Sequence, residues 1–130
     1  MFQQENRLRK IRDFNLIMKH GQWINGQFLD MKYLELAKNQ NFFPKKEDPE
    51  SFKKQLKLAI SISLKISKSA VKRNRVKRQI REVLRLLIRD GLVKTGYYVL
   101  VIAKKGVLDK EYAEISQEIK LLLQRGKILN

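Results

Sequence analysis

Residues 56–91 read LKLAISISLKISKSAVKRNRVKRQIREVLRLLIRDG, and within this stretch the hydrophobic period changes from two to nearly four. Over 56–63, Leu56, Leu58, Ile60 and Ile62 fall on one side and Lys57, Ala59, Ser61 and Ser63 on the other. That alternation predicts a β-strand. Over 69–90 the spacing predicts a long helix, closed by Gly91 at its C-terminal end. At roughly 100° per residue, Val76, Ile80, Val83, Leu84, Leu87 and Ile88 gather in an apolar arc. Arg73, Lys77, Arg78, Arg81, Arg85 and Arg89 gather in a second arc, with Asn74 among them. One side of the helix would be pinned to a core while the other presents a cationic rail.

Reading outward towards the N-terminus, the chain passes through a polar stretch over 38–54 that carries both prolines, Pro44 and Pro49. It reads as a long loop, with Phe42 and Phe43 placed to fold back on the body. Residues 23–37 are aromatic, broken at Asn25-Gly26 and alternating over 29–33, which predicts a turn into a strand. Residues 7–20 have apolar positions near helical spacing and end at Gly21, which predicts a helix. Towards the C-terminus, the aromatic and β-branched run over 97–103 predicts a buried strand. A last helix is expected over about 110–125, with Asp109 as N-cap and Tyr112, Ile115, Ile119, Leu122 and Leu123 as its apolar stripe. The order helix, strands, helix, strand, helix indicates a single α+β domain over 1–130, with two layers and helices on one sheet.

Composition narrows the function. Lys and Arg number 29 against 13 Asp and Glu, a formal net charge of +16. Such self-repulsion suits a chain whose partner is a polyanion. Over 65–89 the cations Lys65, Lys68, Lys72, Arg73, Arg75, Lys77, Arg78, Arg81, Arg85 and Arg89 face a single acid, Glu82. A merely solvated helix face would intersperse acids for i,i+4 pairs, so the rail points to phosphate binding. Arginine guanidinium forks onto phosphate oxygens, and the release of counterions makes such binding weaken steeply with salt. Phe14, Phe28 and Tyr33 are candidate stacking platforms for unpaired bases, although the same residues at these spacings also suit a core.

Other classes lose ground. There is no cysteine, hence no disulfide framework and no thiolate metal site. The start of the chain over 1–10 lacks the apolar centre of a signal peptide. The longest apolar run, 97–103, is too short to span a bilayer, so the cytoplasm is the expected compartment. His20 is the only histidine; beside Gly21 it reads as a cap on helix carbonyls rather than a base. Asp13, Asp30, Glu35, Glu82 and Asp90 fall on different elements without forming a pair, so no catalytic residue and no protein-held metal are expected. A DNA-binding helix would want a helix-turn-helix or a dimer seam, and a membrane-surface helix would want apolar anchors on an isolated helix; neither is present. A structural, ribosomal-type RNA-binding protein would share the charge and the rail.

The stretch Lys72-Arg73-Asn74-Arg75-Val76-Lys77-Arg78-Gln79-Ile80-Arg81-Glu82 closely resembles the signature of the bacterial ribonuclease P protein family: Arg-Asn-Arg, Lys-Arg two residues on, Arg three beyond. The opening over 7–21, Phe28, Ser61-Ile62-Ser63, the run over 97–104 and Tyr112 fit the same family in order. The resemblance implies an α/β sandwich with a central mixed sheet of about four strands and three helices, joined by a left-handed βαβ crossover against the usual hand. It implies a subunit of an endoribonuclease whose catalyst is a large RNA with bound magnesium, the protein itself holding no cofactor. By position, Arg73, Asn74, Arg75, Lys77, Arg78 and Arg81, with Lys72 and Lys68 beside them, would face ribonuclease P RNA. Phe14, Phe28, Ser63 and Lys65, with Tyr33 as a further candidate, would line a cleft between sheet and first helix for the 5′ leader of precursor tRNA. Met18 stands where an aromatic is usual, Leu64 where a Lys is usual, and the 38–54 loop is longer. These departures bear on leader binding and leave the signature helix untouched.

Overall fold

The computed structural model describes residues 6–43 and 49–130; the first five residues and the 44–48 part of the expected loop, with Pro44, lie outside the described residues. The alternating stretch forms strand β3 (Leu56–Ser61) and the amphipathic stretch forms helix α3 (Ala70–Arg89). The strand is two residues shorter than expected because serines organise the loop that follows. Ser63 Oγ accepts the Lys65 N–H at 3.0 Å and Ser67 Oγ the Ser69 N–H at 3.1 Å. Ser69 then caps α3 by accepting the Lys72 N–H at 3.3 Å. Such local bonds draw the backbone out of the ladder. At the other end Gly91 takes φ +69, the left-handed conformation that glycine adopts without a Cβ penalty.

Three more strands complete a mixed sheet: β1 (Gln22–Asn25), β2 (Leu29–Glu35) and β4 (Tyr97–Ala103), in the order β1-β2-β4-β3. β1 and β2 are antiparallel, as are β2 and β4, whereas β3 runs parallel to β4. The β3–α3–β4 segment is therefore a βαβ unit, and the fold is α+β as the sequence led us to expect. β4 lies inside the sheet, which accounts for its unbroken apolar run. Val99, Val101 and Ala103 face α3 and the last helix, α4 (Tyr112–Arg125), together with Leu29, Met31, Leu56 and Leu58. Tyr98 and Leu100 face the other way, with Leu34, onto Ile17 of the first helix, α1 (Ile11–His20). α3 and α4 thus form the helical layer on one face, and α1 covers part of the opposite face.

Several local expectations are corrected. The helix expected from residue 7 begins at Ile11. Arg7 instead bridges Leu58 in parallel, and the Leu8 N–H donates to the Leu58 carbonyl at 3.0 Å. Leu8 is buried and Arg9 exposed, so this segment has the period of a strand and covers the open edge of β3. The expected loop over 38–54 holds a 3-10 segment (Leu36–Phe42) and a short helix α2 (Pro49–Lys54). Phe43 folds back as expected, 5.0 Å from the Phe52 ring and 6.0 Å from Tyr98. His20 stacks on Phe42 at 3.8 Å rather than being held at the helix carbonyls. α4 is capped by Glu111, not by Asp109: Glu111 and Glu114 form a reciprocal capping box, while Asp109 lies in a 3-10 turn (Val107–Asp109).

The β1–β2 hairpin is locked from a distance. The Glu118 carboxylate on α4 accepts the N–H groups of Gln27, Phe28 and Leu29 at 3.0, 2.8 and 2.9 Å. Gly26 is required there because a Cβ would collide with the Leu29 carbonyl.

Candidate RNA interface

The cations of α3 do not form one uniform rail. Arg73, Lys77 and Arg81 recur every fourth residue and are half-buried, at the border of the apolar stripe. Asn74, Arg75, Arg78 and Arg89 are exposed, as are Lys68 and Lys72 at the helix entry. Arg73 Nε is buried and has no hydrogen-bond partner among the described residues, a donor in want of an acceptor. Arg75 leans the other way, its guanidinium donating to the Leu108 carbonyl at 2.9 Å. Arg85 is held by Glu82 through two bonds of 3.0 and 2.7 Å. That hydrogen bond is also the main reason the Glu82 carboxyl lies below its ordinary range, so Arg85 has its own counter-charge and contributes least to a surplus.

Lys77 and Arg81 share a cleft of about 280 Å³ with Arg7 and Arg9, floored by Leu58, Ala59 and Ile60. The strand-like docking of the N-terminal segment thus brings two arginines onto the half-buried flank of α3. The sequence reading missed Arg7 and Arg9 as site residues; their signal was the alternation Arg7-Leu8-Arg9.

The candidate cleft residues are divided by the sheet. Phe14, on α1, packs half-buried against the cluster that contains Leu34, Tyr98 and Leu100, as Ala59 and Ile102 do. Phe28 is buried on the opposite face, under the Lys110 ammonium at 5.2 Å. Tyr33 also points to that opposite face, its hydroxyl bonded to Gln22 at 2.8 Å and its ring edge-on to Tyr97 at 6.2 Å. Phe28 and Tyr33 therefore do not share a cleft with Phe14 and serve the core between sheet and α4. Tyr97, beside Tyr33, has its hydroxyl pKa raised, mainly by burial and next by the Glu35 carboxylate. Ser63 and Lys65 are exposed on the loop leaving β3. The α1 face carries two further residues outside the expected set: Trp23 on β1 and Lys32 on β2, paired in register. Trp23 was legible as the outward partner of inward Ile24, but a four-residue strand is too short to show its period.

Among the described residues no group of three or more His, Asp or Glu side chains is placed to hold a metal ion, and no helix is long and apolar enough to cross a membrane.

A family model described as ribonuclease P matches residues 2–127. The chain is 36% identical over 129 residues to the ribonuclease P protein component of a Synechococcus species, covering 99% of this chain and 87% of that protein. It is 32% identical over 127 residues to the ribonuclease P protein component of Clostridioides difficile, covering 98% and 96%. Among solved structures it resembles the Staphylococcus aureus RNase P protein with a TM-score of 0.72 at 25% identity, over 96% of this chain and 98% of that one. The RNase P protein from Thermotoga maritima shares the fold, with a TM-score of 0.67 at 24% identity over 92% and 96%.

Proposed function

The chain belongs to the ribonuclease P protein family, and from that membership we propose how it works as the protein subunit of an endoribonuclease. It lays the cations of α3 on ribonuclease P RNA, which carries the chemistry. On the α1 face it holds the 5′ leader of precursor tRNA, so that the leader is removed to give the mature 5′ end, in the cytoplasm. Membership does not favour the alternative, a structural RNA-binding protein with no part in cleavage.

The observation that carries this reading is the flank Arg73–Lys77–Arg81, joined by Arg7 and Arg9. Arg7, Arg73, Lys77 and Arg81 are half-buried, which restricts where their charges can sit, and the Arg73 guanidinium, whose Nε has no hydrogen-bond partner among the described residues, can turn its outer nitrogens to phosphate oxygens. Asn74, Arg75 and Arg78, with Lys68 and Lys72, extend the contact on the exposed side. Magnesium would belong to the RNA, where it supplies the activation of water and the neutralisation of developing charge; the scattered carboxylates of this chain suit ion pairs rather than metal binding. For the leader, Phe14 offers a ring, and Ser63 and Lys65 a hydroxyl and an ammonium at the loop. Phe28 and Tyr33 are left out of this role because they serve the other face.

The test is cleavage of a precursor tRNA by a bacterial ribonuclease P RNA at low magnesium, with and without this protein, and with the protein alone. Strong stimulation is expected, with no cleavage by protein alone. Tight RNA binding without stimulation would move the assignment to a structural RNA-binding role.

A further inference from the structure

Trp23 is the chain's sole tryptophan, and it is 47% exposed. Exposure alone decides nothing, since single apolar residues on a surface are ordinary. Trp23 differs in being held in place while exposed. Its indole N–H donates to the Asn25 side chain. The Lys32 ammonium lies 5.6 Å from its ring centroid and also donates to the Met18 carbonyl at 2.6 Å. The ring is thereby tied to the last turn of α1, where Met18 is itself 54% exposed.

Register decides which way it faces. Ile24 packs towards α3 and α4, so Trp23 faces the α1 side, in the cross-sheet row Trp23–Lys32–Leu100–Ala59. Phe14 packs on this same face, against the cluster to which Leu100 belongs and at whose margin Ala59 lies. Two strand spacings, roughly 10 Å, separate Trp23 from Leu100. A strand of RNA crossing this face past Phe14 would meet the indole at the β1 edge.

We propose that Trp23 and Lys32 form a stacking subsite for one unpaired nucleobase of single-stranded RNA, the indole taking the base and Lys32 the adjoining phosphate. The Lys32 ammonium has three donors, so its bond to Met18 leaves it able to reach a phosphate. The partner is RNA because the platform is an aromatic ring beside a cation, on a face continuous with Phe14, in a chain of net charge +16. Stacking accepts any base, so the subsite would set leader affinity without reading its sequence. The subsite rests on the leader reading above.

The experiment uses the holoenzyme reconstituted with ribonuclease P RNA, and it reads fluorescence excited beyond the tyrosine absorption band, which reports the sole tryptophan, Trp23. A cleavage-blocked precursor tRNA should quench this fluorescence where mature tRNA does not. An abasic nucleotide walked through the leader should abolish the quench at one position, and this arm needs no altered protein. Trp23→Ala should weaken precursor binding about 10-fold, within the loss expected of one stacked base, leave mature tRNA binding unchanged, and be largely rescued by Trp23→Tyr. Full quenching on adding ribonuclease P RNA alone would overturn the proposal by placing Trp23 against that RNA. If Trp23→Ala matches wild type while Phe14→Ala loses the preference for precursor, the leader cleft stands without Trp23. If neither variant changes that preference, the leader reading itself fails.

Discussion

Glu118 falls inside the apolar stripe of α4, between Ile115 and Leu122, and is only 8% exposed. Its carboxylate answers three consecutive backbone N–H groups about ninety residues away, among them that of Phe28 at 2.8 Å with a sequence separation of 90. A carboxylate accepting several backbone donors is a strong arrangement, and removing it leaves the Phe28 and Leu29 donors buried and unpaired. Glu118→Ala is therefore expected to destabilise the fold by about 3 kcal/mol or more, read from urea unfolding. Glu118→Gln, which keeps one acceptor oxygen, should lose less. An alanine variant within about 1 kcal/mol of wild type would mean the hairpin holds without this lock. An acid placed in an apolar stripe is visible in the sequence, but its partners are not, because nothing local links residues 27–29 to residue 118. Arg73 poses the same puzzle on α3: a cation at the edge of the core arc whose buried Nε has no partner among the described residues.

At the scale of the element, what could be read depended on whether a period ran long enough. β3, α3 and α4 were legible because each shows its periodicity over at least six residues, β4 because its apolar run is unbroken, and the ends of the two helices carry Ser69, Gly91 or Gly126. The β1–β2 hairpin was harder, since β1 has four residues and a one-residue change of register moves every side chain to the other face. That is why Phe28 and Tyr33 were grouped with Phe14 although the sheet lies between them. The N-terminal segment was misread for a related reason: three residues of strand period preceded ten of helix. For α3 the apolar arc was right, but the cations turned out to be unequal. The half-buried Arg73 and the Leu108-bound Arg75 sit on opposite flanks of the helix, and both lie in its first two turns. Replacing both by Ala is expected to weaken binding to ribonuclease P RNA and to flatten the plot of log affinity against log salt by roughly 1.5, at 0.7–0.9 per phosphate contact. Filter binding across a salt series measures both, and an unchanged slope would remove the first turns of α3 from the interface.

At the scale of the whole molecule, the acids are largely occupied in the fold. Asp30 holds Lys104 at 3.2 Å, Glu82 holds Arg85 at 2.7 Å and Asp90 holds Arg89 at 3.1 Å, while Glu118 serves the hairpin. The surplus of +16 leaves cations facing one another on the surface of the free protein, those of the proposed RNA interface among them. Folding draws Lys77, Arg81, Arg7 and Arg9 around a single cleft; unfolding lets them separate. Two equilibria should then respond to salt with opposite signs. Binding to RNA releases counterions and weakens as salt rises, whereas the free fold suffers less self-repulsion as screening shortens the range of the surface charges. Between about 50 mM and about 200 mM chloride, the Tm of the free protein is expected to rise while RNA affinity falls. Millimolar sulfate should raise the Tm more than chloride of equal ionic strength, since it is too dilute to act by exclusion from the surface and can sit among several guanidinium groups at once. With ribonuclease P RNA bound at the proposed interface, phosphates would already neutralise these cations, so the same rise in salt should lower the stability of the complex. Scanning calorimetry on the free protein and on the complex distinguishes the two signs. A free-protein Tm that falls with added salt would show that attractive ion pairs, and not the crowding of cations at the RNA surface, dominate the electrostatics of the fold.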